Sequence, residues 1–526
     1  MDYPSHERHG RRERHGRRGR RAALALVSAA LVLLAGCVSP PTKWAAPISG
    51  QPAASGSASP GAGGVTAPVW GPCEGYKKLP NITLECGKMS VPQDWNNLSL
   101  NRTFDIALIR ARSVGQRQRI GSLLVNPGGP GGSGVDLAYY LAQALPNDVI
   151  WRFDIVGFDP RGVGKSSPVE CFSDADLDAN FGADPDPVSQ ADFDASVALA
   201  RKLAQECGTK YGDALQYFST EQTARDMDAI RNALGDEKIT YLGYSYGTLL
   251  GAVYAQLFPK NIRALVLDGA VDPTQSSVAS SEGQAKGFER AFTNFANWCK
   301  TAAQECPLGG DARGAVTAAI QAARTAPATG ANGRKATAGW VFTAVISALY
   351  SEQLWPALAV AIANVRRGDP KDVFELADRY AERDASGKYS NLFDANLAVN
   401  CADDDKSVTV EEARRLQGEW RTKYPLFGAS LALNLICAQW PGKRDPYPTG
   451  KADGAPPILV VGTKGDPATP YEQTPALANM LGVGVVLTWD GEGHTAYPQT
   501  RCITSAVNEY LINLTVPPVG QTCPAR

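Results

Sequence analysis

The pentapeptide GYSYG, centred on Ser245, has the pattern G-x-S-x-G, and the stretch DGEGHTAYP carries His494. A serine and a histidine can together run acyl transfer. A serine hydroxyl is a poor nucleophile until a base takes its proton, and imidazole titrates in the range where that base is useful. Histidine is scarce here. The chain has four, His6, His9, His15 and His494, and the first three lie in an Arg-rich N-terminal segment that reads as removed on export. His494 is then the imidazole left to act as base. Such a base needs a carboxylate to hold its tautomer and stabilise the imidazolium. GTKGDPATP offers Asp466, directly after an apolar run, and VLDG offers Asp268 as the alternative acid. Asp466 is favoured because it lies in the loop just before the histidine-bearing strand. NPGGPGGSG, Asn126 to Gly134, is dense in glycine. It lacks the Lys-Ser/Thr ending of a P-loop and the spacing of a dinucleotide fingerprint. It reads better as half of an oxyanion hole, where bare backbone N–H groups approach a developing negative charge. Gly129 and the N–H of Tyr246 are the assigned donors.

These groups need a frame. SLLVNPGG (122–129), FDIVGFDPRG (153–162), ITYLGYSYG (239–247), IRALVLDG (262–269), PILVVGTKGD (457–466) and GVVLTWDGEG (484–493) read as strands. Nearly continuous apolar runs fit strands buried on both faces, hence a mostly parallel sheet. ITYL before Ser245 and TLLGAVYAQLFP after it give strand, sharp turn and helix, the geometry that lifts a serine hydroxyl out of a sheet. Gly243 and Gly247 are small because that turn packs closely on its neighbours. TEQTARDMDAIRNALG (220–235) reads as a helix with a threonine start and a glycine stop. From about Pro273 to Tyr424 helix-like segments follow one another without a strand signal, which predicts a helical lid inserted over the site. The DPRGVGKS stretch (159–166) shapes the cleft floor, with Arg161 in a structural role.

The chain has 526 residues, 44% of them hydrophobic and 20% charged, values typical of a globular protein with a large core. Residues 1–36 read as a signal peptide: eight arginines, then AALALVSAALVLLAG, too short to span a bilayer. LAGC, Leu34 to Cys37, resembles a bacterial lipobox, which implies cleavage before Cys37 and a diacylglycerol on its thiol. The export route, general or twin-arginine, stays open. A Pro/Ala/Ser/Gly-rich tether covers 37–69. The predicted organisation continues with a first part of the core at 70–272, the cap at 273–424 and a C-terminal part of the core at 425–526. The signal segment holds 8 of the 52 basic and 3 of the 53 acidic residues, so its removal leaves a net charge of −6. A mildly acidic chain without basic runs is not a nucleic-acid binder. Of eleven cysteines, ten remain beyond Cys37, with no C-x-x-C pair, which argues against zinc or a redox site and for five disulfides outside the cytoplasm. Nearest-neighbour pairing (73–86, 171–207, 299–306, 401–437, 502–523) is the simplest guess, and the first such loop would contribute about 3 kcal/mol by the chain-entropy model. No cofactor or metal is called for.

GYSYG, NPGGPGGSG, DPRGVGKS, GTKGDPATP and GEGHTAYP together resemble the secreted tripeptidyl aminopeptidases of actinobacteria. They are also similar to the related mycobacterial cell-envelope serine hydrolases and, more distantly, to the proline iminopeptidases. The resemblance runs from about Trp70 to Cys523. It implies an α/β-hydrolase fold with a helical cap, the chain order Ser…Asp…His, and release of short peptides from free N-termini. Asn-Pro in NPGGPGG, where proline iminopeptidases usually show His-Gly, fits the tripeptidyl branch. A free N-terminus needs a carboxylate to pair with its ammonium. Asp403 in NCADDD fits the family's Cys-x-Asp pattern, and Glu352 in YSEQLW is a second candidate. Two other readings compete: a carboxylesterase or lipase using the same triad on acyl esters, and a non-catalytic envelope lipoprotein that binds peptides.

Overall fold

The computed structural model describes residues 64–525. The signal segment, Cys37 and most of the tether lie outside the described residues. The tether's last residues are already part of the body: Thr66 N–H donates to Ser90 O at 3.1 Å, and Val65 packs on the core. The packed chain therefore starts a few residues before the predicted boundary at Trp70.

Chain order gives the strands β1 (Val69–Gly71), β2 (Ile82–Pro92), β3 (Thr103–Ser113), β4 (Gly121–Asn126), β5 (Phe153–Phe158), β6 (Ile239–Tyr244), β7 (Ile262–Asp268), β8 (Ala328–Thr329), β9 (Lys335–Ala336), β10 (Ile458–Gly465), β11 (Gly484–Glu492) and β12 (Thr522–Cys523). β8 and β9 form a small separate pair. The other ten make one sheet in the order β1-β2-β3-β5-β4-β6-β7-β10-β11-β12. It is antiparallel from β1 to β5 and parallel from β5 to β12. The six apolar runs read as strands are β4, β5, β6, β7, β10 and β11. Every residue of β4, β5 and β6 is buried, as strands covered by helices on both faces must be. Each fully buried Val, Leu or Ile there contributes roughly 1.5–3 kcal/mol. The antiparallel strands β1–β3 are new relative to the sequence reading. β2 lies toward the sheet edge, where several of its residues stay partly exposed, so it gives no continuous apolar run.

The parallel strands all end at one edge. Asn126 pairs with Gly243, Tyr244 and Val461 both pair with Asp268, and Gly465 pairs with Glu492. The loops that follow these ends therefore converge, the usual place for a binding crevice in such sheets.

Over that edge sits a helical cap, larger than the 273–424 block read from the sequence. Its main insertion runs from the helix Ser277–Thr301 through Val410–Lys423 and on to a further turn at Gly428–Leu431. A second piece comes from the region assigned to the core: helices Asp174–Gly182 and Gln190–Tyr211 leave between β5 and β6. Ion pairs Arg383–Asp178, Arg421–Asp186 and Arg324–Asp184 bind it to the main insertion, and Leu177 and Phe181 join the cap's own apolar core. Amphipathic helices pack wherever an apolar face is offered, so sequence position alone misassigned this segment. The disulfides are Cys73–Cys86, Cys171–Cys207, Cys299–Cys306, Cys401–Cys437 and Cys502–Cys523, the nearest-neighbour set.

Candidate active site

Ser245 sits between the end of β6 and the helix Tyr246–Leu257, with φ 55° and ψ −125°. Only a tightly held turn keeps a non-glycine residue in that region. Its N–H donates to Asp268 O at 2.8 Å, and its carbonyl accepts the Thr248 N–H at 2.8 Å. A side chain at Gly243 would stand 2.4 Å from Gly247 O, so the turn tolerates nothing larger. The residues 127–134 press against it: a Cβ on Gly128 would lie 2.9 Å from both Ser245 Cβ and Tyr246 N. Tyr246 N opens its helix, and Gly129 lines the same cavity as Ser245. Two N–H groups at these positions are suited to an oxygen that gains negative charge.

His494 follows β11 and is buried, 8% exposed. Its Nδ1 lies 2.9 Å from each carboxylate oxygen of Asp466, which is fully buried at the end of β10. Asp466 also accepts the N–H groups of Ala468 and Thr469 at 2.9 Å and the Thr469 hydroxyl at 3.0 Å. With Nδ1 carrying the proton toward Asp466, Nε2 is the nitrogen able to accept one. Burial works against a charged imidazole and is the largest influence on it. The charge and hydrogen bond of Asp466, with help from Asp268, outweigh burial and raise the His494 pKa above 6.5. The cap reaches this loop directly. His494 N–H donates to Tyr350 O at 2.9 Å, and the Tyr350 ring stands edge-on to the imidazole with centroids 5.2 Å apart.

Asp268, the alternative acid, is not on the imidazole's Nδ1. Its carboxylate accepts the N–H groups of Ala496 and Tyr497 at 2.7–3.0 Å. Arg161 is fully buried, doubly bonded to Asp226 and donating to the carbonyls of Pro92, Gln93 and Tyr217, a structural arrangement. In the same segment, Asp159 accepts the Ser133 hydroxyl at 2.6 Å and the Val135 N–H at 3.2 Å, fixing the start of the helix Gly134–Ala144.

Ser245, His494 and Gly129 open on one cavity of about 320 Å³ beneath the cap. Its wall is mostly apolar, with Tyr140, Leu141, Phe181 and Phe393 among its residues. Neither acid chosen from the sequence lines it. Asp403 lies at the start of the helix Thr220–Ala233, accepting the Thr220 N–H at 2.9 Å and the Thr220 hydroxyl at 2.5 Å. Glu352 lies in a separate depression beside Arg290 and Glu492. The acids that do line the cavity are Glu382 and Asp136, which sequence reasoning missed. Burial pushes Glu382 up to about 7, opposed by the Ser390 hydroxyl and reinforced by the carboxylates of Asp136 and Asp159. The usable signal was faint. Glu382 ends its helix in the left-handed conformation, φ 51°, at a position where glycine is the common choice. Thr469, 3.3 Å from His494 Nδ1, was likewise unmarked. Among the described residues no group of three metal-ligating side chains is assembled.

Comparison with known proteins places the chain in a family. The alpha/beta hydrolase fold family matches residues 121–494. The chain is 38% identical to the serine protease Hip1 of Mycobacterium tuberculosis over 536 aligned positions, covering 95% of this chain and 96% of that protein. It is 38% identical to carboxylesterase B of the same species, covering 91% and 95%. It is 32% identical to the tripeptidyl aminopeptidase of Streptomyces coelicolor, covering 84% and 83%. Among solved structures, the proline iminopeptidase of Mycobacterium smegmatis aligns with a TM-score of 0.36 at 15% identity, covering 81% of this chain and 98% of that one.

Proposed function

The chain belongs to the α/β-hydrolase fold family, and from that premise we propose that it is an exported serine peptidase releasing short peptides, tripeptides in the first instance, from free N-termini. One observation carries the reading: the imidazole of His494 is held through Nδ1 by the buried Asp466 and lines the cavity that Ser245 also lines. In the reaction His494 Nε2 takes the Ser245 proton as Oγ attacks the scissile carbonyl. The N–H groups of Gly129 and Tyr246 receive the oxyanion. The imidazolium then protonates the leaving amine, and water attacks the acyl-enzyme by the same route in reverse. Removing one oxyanion donor would cost about 10²–10³ in kcat.

Glu382 and Asp136 support an amine-bearing substrate. Arg379 lines the same cavity, so the wall carries one cation beside its two carboxylates; a peptide's free N-terminus would supply a second and bring the charges to balance. The two carboxylates replace Asp403 and Glu352 as the acids assigned to the ammonium. Export and lipid anchoring at Cys37 rest on the LAGC sequence, and the five disulfides support an oxidising compartment.

The carboxylesterase reading has its own support in the 38% identity to carboxylesterase B. Turnover of an aminoacyl anilide beside a nitrophenyl ester separates the two. The decisive experiment profiles a free-amine and an N-acetylated peptide library with the form beginning after the tether, beside Ser245→Ala. Cleavage a fixed number of residues from free N-termini, lost in the variant, is the expected result. Ester turnover without peptide cleavage would hand the function to the esterase reading. No labelling of Ser245 by a fluorophosphonate would leave a peptide-binding lipoprotein.

A further inference from the structure

Asp268 makes contacts that a spent alternative acid would not need. It is the last residue of β7 and is fully buried. Its main-chain carbonyl accepts the Ser245 N–H at 2.8 Å. Its side chain accepts the Ala496 N–H at 3.0 Å from each oxygen and the Tyr497 N–H at 2.7 Å. One residue therefore grips the turn that carries Ser245 and the loop that carries His494.

Both gripped segments are strained. Ser245 has φ 55° and Thr495 has φ 66°, the latter for a β-branched residue that rarely enters this region. Such conformations persist only where neighbours over-determine them. The Ala496 N–H bond lies on the residue immediately after Thr495, and the Ser245 N–H bond on the strained serine itself. Gly269 completes the seat: with φ +74°, a Cβ on it would stand 3.2 Å from His494 Cε1 and 3.1 Å from Thr495 Cγ2. The imidazole thus rests on bare backbone beside Asp268. A second tie runs from the Tyr244 hydroxyl to Tyr497 O at 3.2 Å.

We propose that Asp268 is a positioning residue that sets the spacing of the Ser245 turn and the His494 loop, while Asp466 serves the imidazole. The inference takes Ser245 and His494 as nucleophile and base, as proposed above. The ionisable groups facing Asp268 are His494, Asp466, Tyr244 and Tyr497. Burial pushes the Asp268 carboxyl itself up to about 7; where it is ionised its charge favours the imidazolium, so losing it lowers the His494 pKa. The base works when neutral, and the acid limb of the kcat/KM profile then moves to lower pH.

The test uses Asp268→Ala and Asp268→Asn in the disulfide-bonded protein beginning after the tether. Readouts are kcat and KM on an aminoacyl anilide, the rate of fluorophosphonate labelling of Ser245, the pH profile, and near-UV circular dichroism as a check of folding. The alanine variant should lose about 10²-fold in kcat and in labelling rate, the scale for a misplaced reacting group, with KM within about threefold. Asparagine keeps an oxygen for the two amides and drops the charge. It should retain more activity than alanine and show the acid limb at lower pH. If the alanine variant does not fold, the asparagine variant decides. A folded Asp268→Ala enzyme with unchanged kcat and labelling rate overturns the inference, as does Asp268→Asn with an unmoved acid limb. Either result beside inactive Ser245→Ala and His494→Ala overturns the positioning role alone; activity in those two would overturn the proposed function itself.

Discussion

The strand-end loops and the helical cap face the same cavity but hold their acids in opposite ways. At the sheet edge, Asp466 is surrounded by donors: the backbone N–H groups of Ala468, Thr469 and Thr495, the Thr469 hydroxyl and His494 Nδ1. Across the cavity, Glu382 receives a hydroxyl from Ser390, feels the carboxylates of Asp136 and Asp159, and shares the cavity wall with Arg379. A fully paired carboxylate is preorganised and has nothing left to offer a ligand, which suits a group that must steady an imidazole through a reaction. A carboxylate crowded by its own charge is improved by a cation from outside, which suits recognition. On the proposed function, the cap contributes Glu382 to recognition while the core contributes Asp136 from the helix Gly134–Ala144 together with the reacting groups.

The largest effects should come from the loop side. Ser245→Ala or His494→Ala should each lower kcat on a free-amine peptide anilide by about 10⁴-fold or more, since the members of such a unit fail together. Undiminished turnover in His494→Ala would end the comparison. Asp466→Asn should cost about 10³–10⁴-fold in kcat. It also carries a signed pH effect. The raised pKa of His494 places the acid limb of kcat/KM above 6.5 in the parent, and removing the Asp466 charge should bring that limb down. A pH titration of the residual activity checks it. An unmoved limb would mean that another group sets the imidazole's basicity.

The same division explains what the sequence could and could not reveal. Ser245, Asp466 and His494 could be singled out as candidates because each sits where a buried strand ends in a glycine-containing turn, and a parallel sheet brings all such ends to one edge. Among the described residues His494 is the single histidine, so no second imidazole competes there as base. The choice between Asp466 and Asp268 was closer, because both end adjacent strands; only the coordinates separate a carboxylate on Nδ1 from one on backbone amides. The cap offered no such rule. Its helices are amphipathic, and which acid faces the cavity depends on how Lys371–Ala381 and Leu392–Asp403 pack against the loop at 127–134, where Asn396 Nδ2 donates to Pro130 O at 2.9 Å. Asp403 follows Cys401, but its helix carries that face toward Thr220 rather than toward Ser245.

On the cap side a smaller and selective effect is expected. Glu382→Gln should raise KM for free-amine peptides by about 10–100-fold, the cost of truncating one partner of a buried charge pair. N-acetylated or ester substrates should change little. The pH sign follows from a carboxyl pushed up to about 7. Its ionised form binds the ammonium, so KM for a free-amine peptide should fall as pH rises through about 7. KM should rise again as the α-amino group loses its proton near pH 8. Equal changes on amine and acetylated substrates would deny the cap its recognition role.

The smallest catalytic effect should come from Asp403, and its stability effect is the sharper test. Burial drives its pKa up to about 8 against the Thr220 hydrogen bonds, with Asp445 and Asp404 adding like charge. In the unfolded chain the carboxyl titrates near the ordinary 3.8. Between these values the native state binds the extra proton, so the parent loses stability as pH rises from about 4 to about 8. Asp403→Asn is neutral throughout and keeps an acceptor for Thr220. Its Tm relative to the parent should therefore climb over that interval, with kcat and KM for free-amine peptides within about threefold of the parent. Thermal melts at pH 5 and pH 8 read the sign directly. A Tm difference that shrinks with rising pH, or a KM that jumps for amines alone, would return Asp403 to the substrate and make the lid's two acidic regions equivalent.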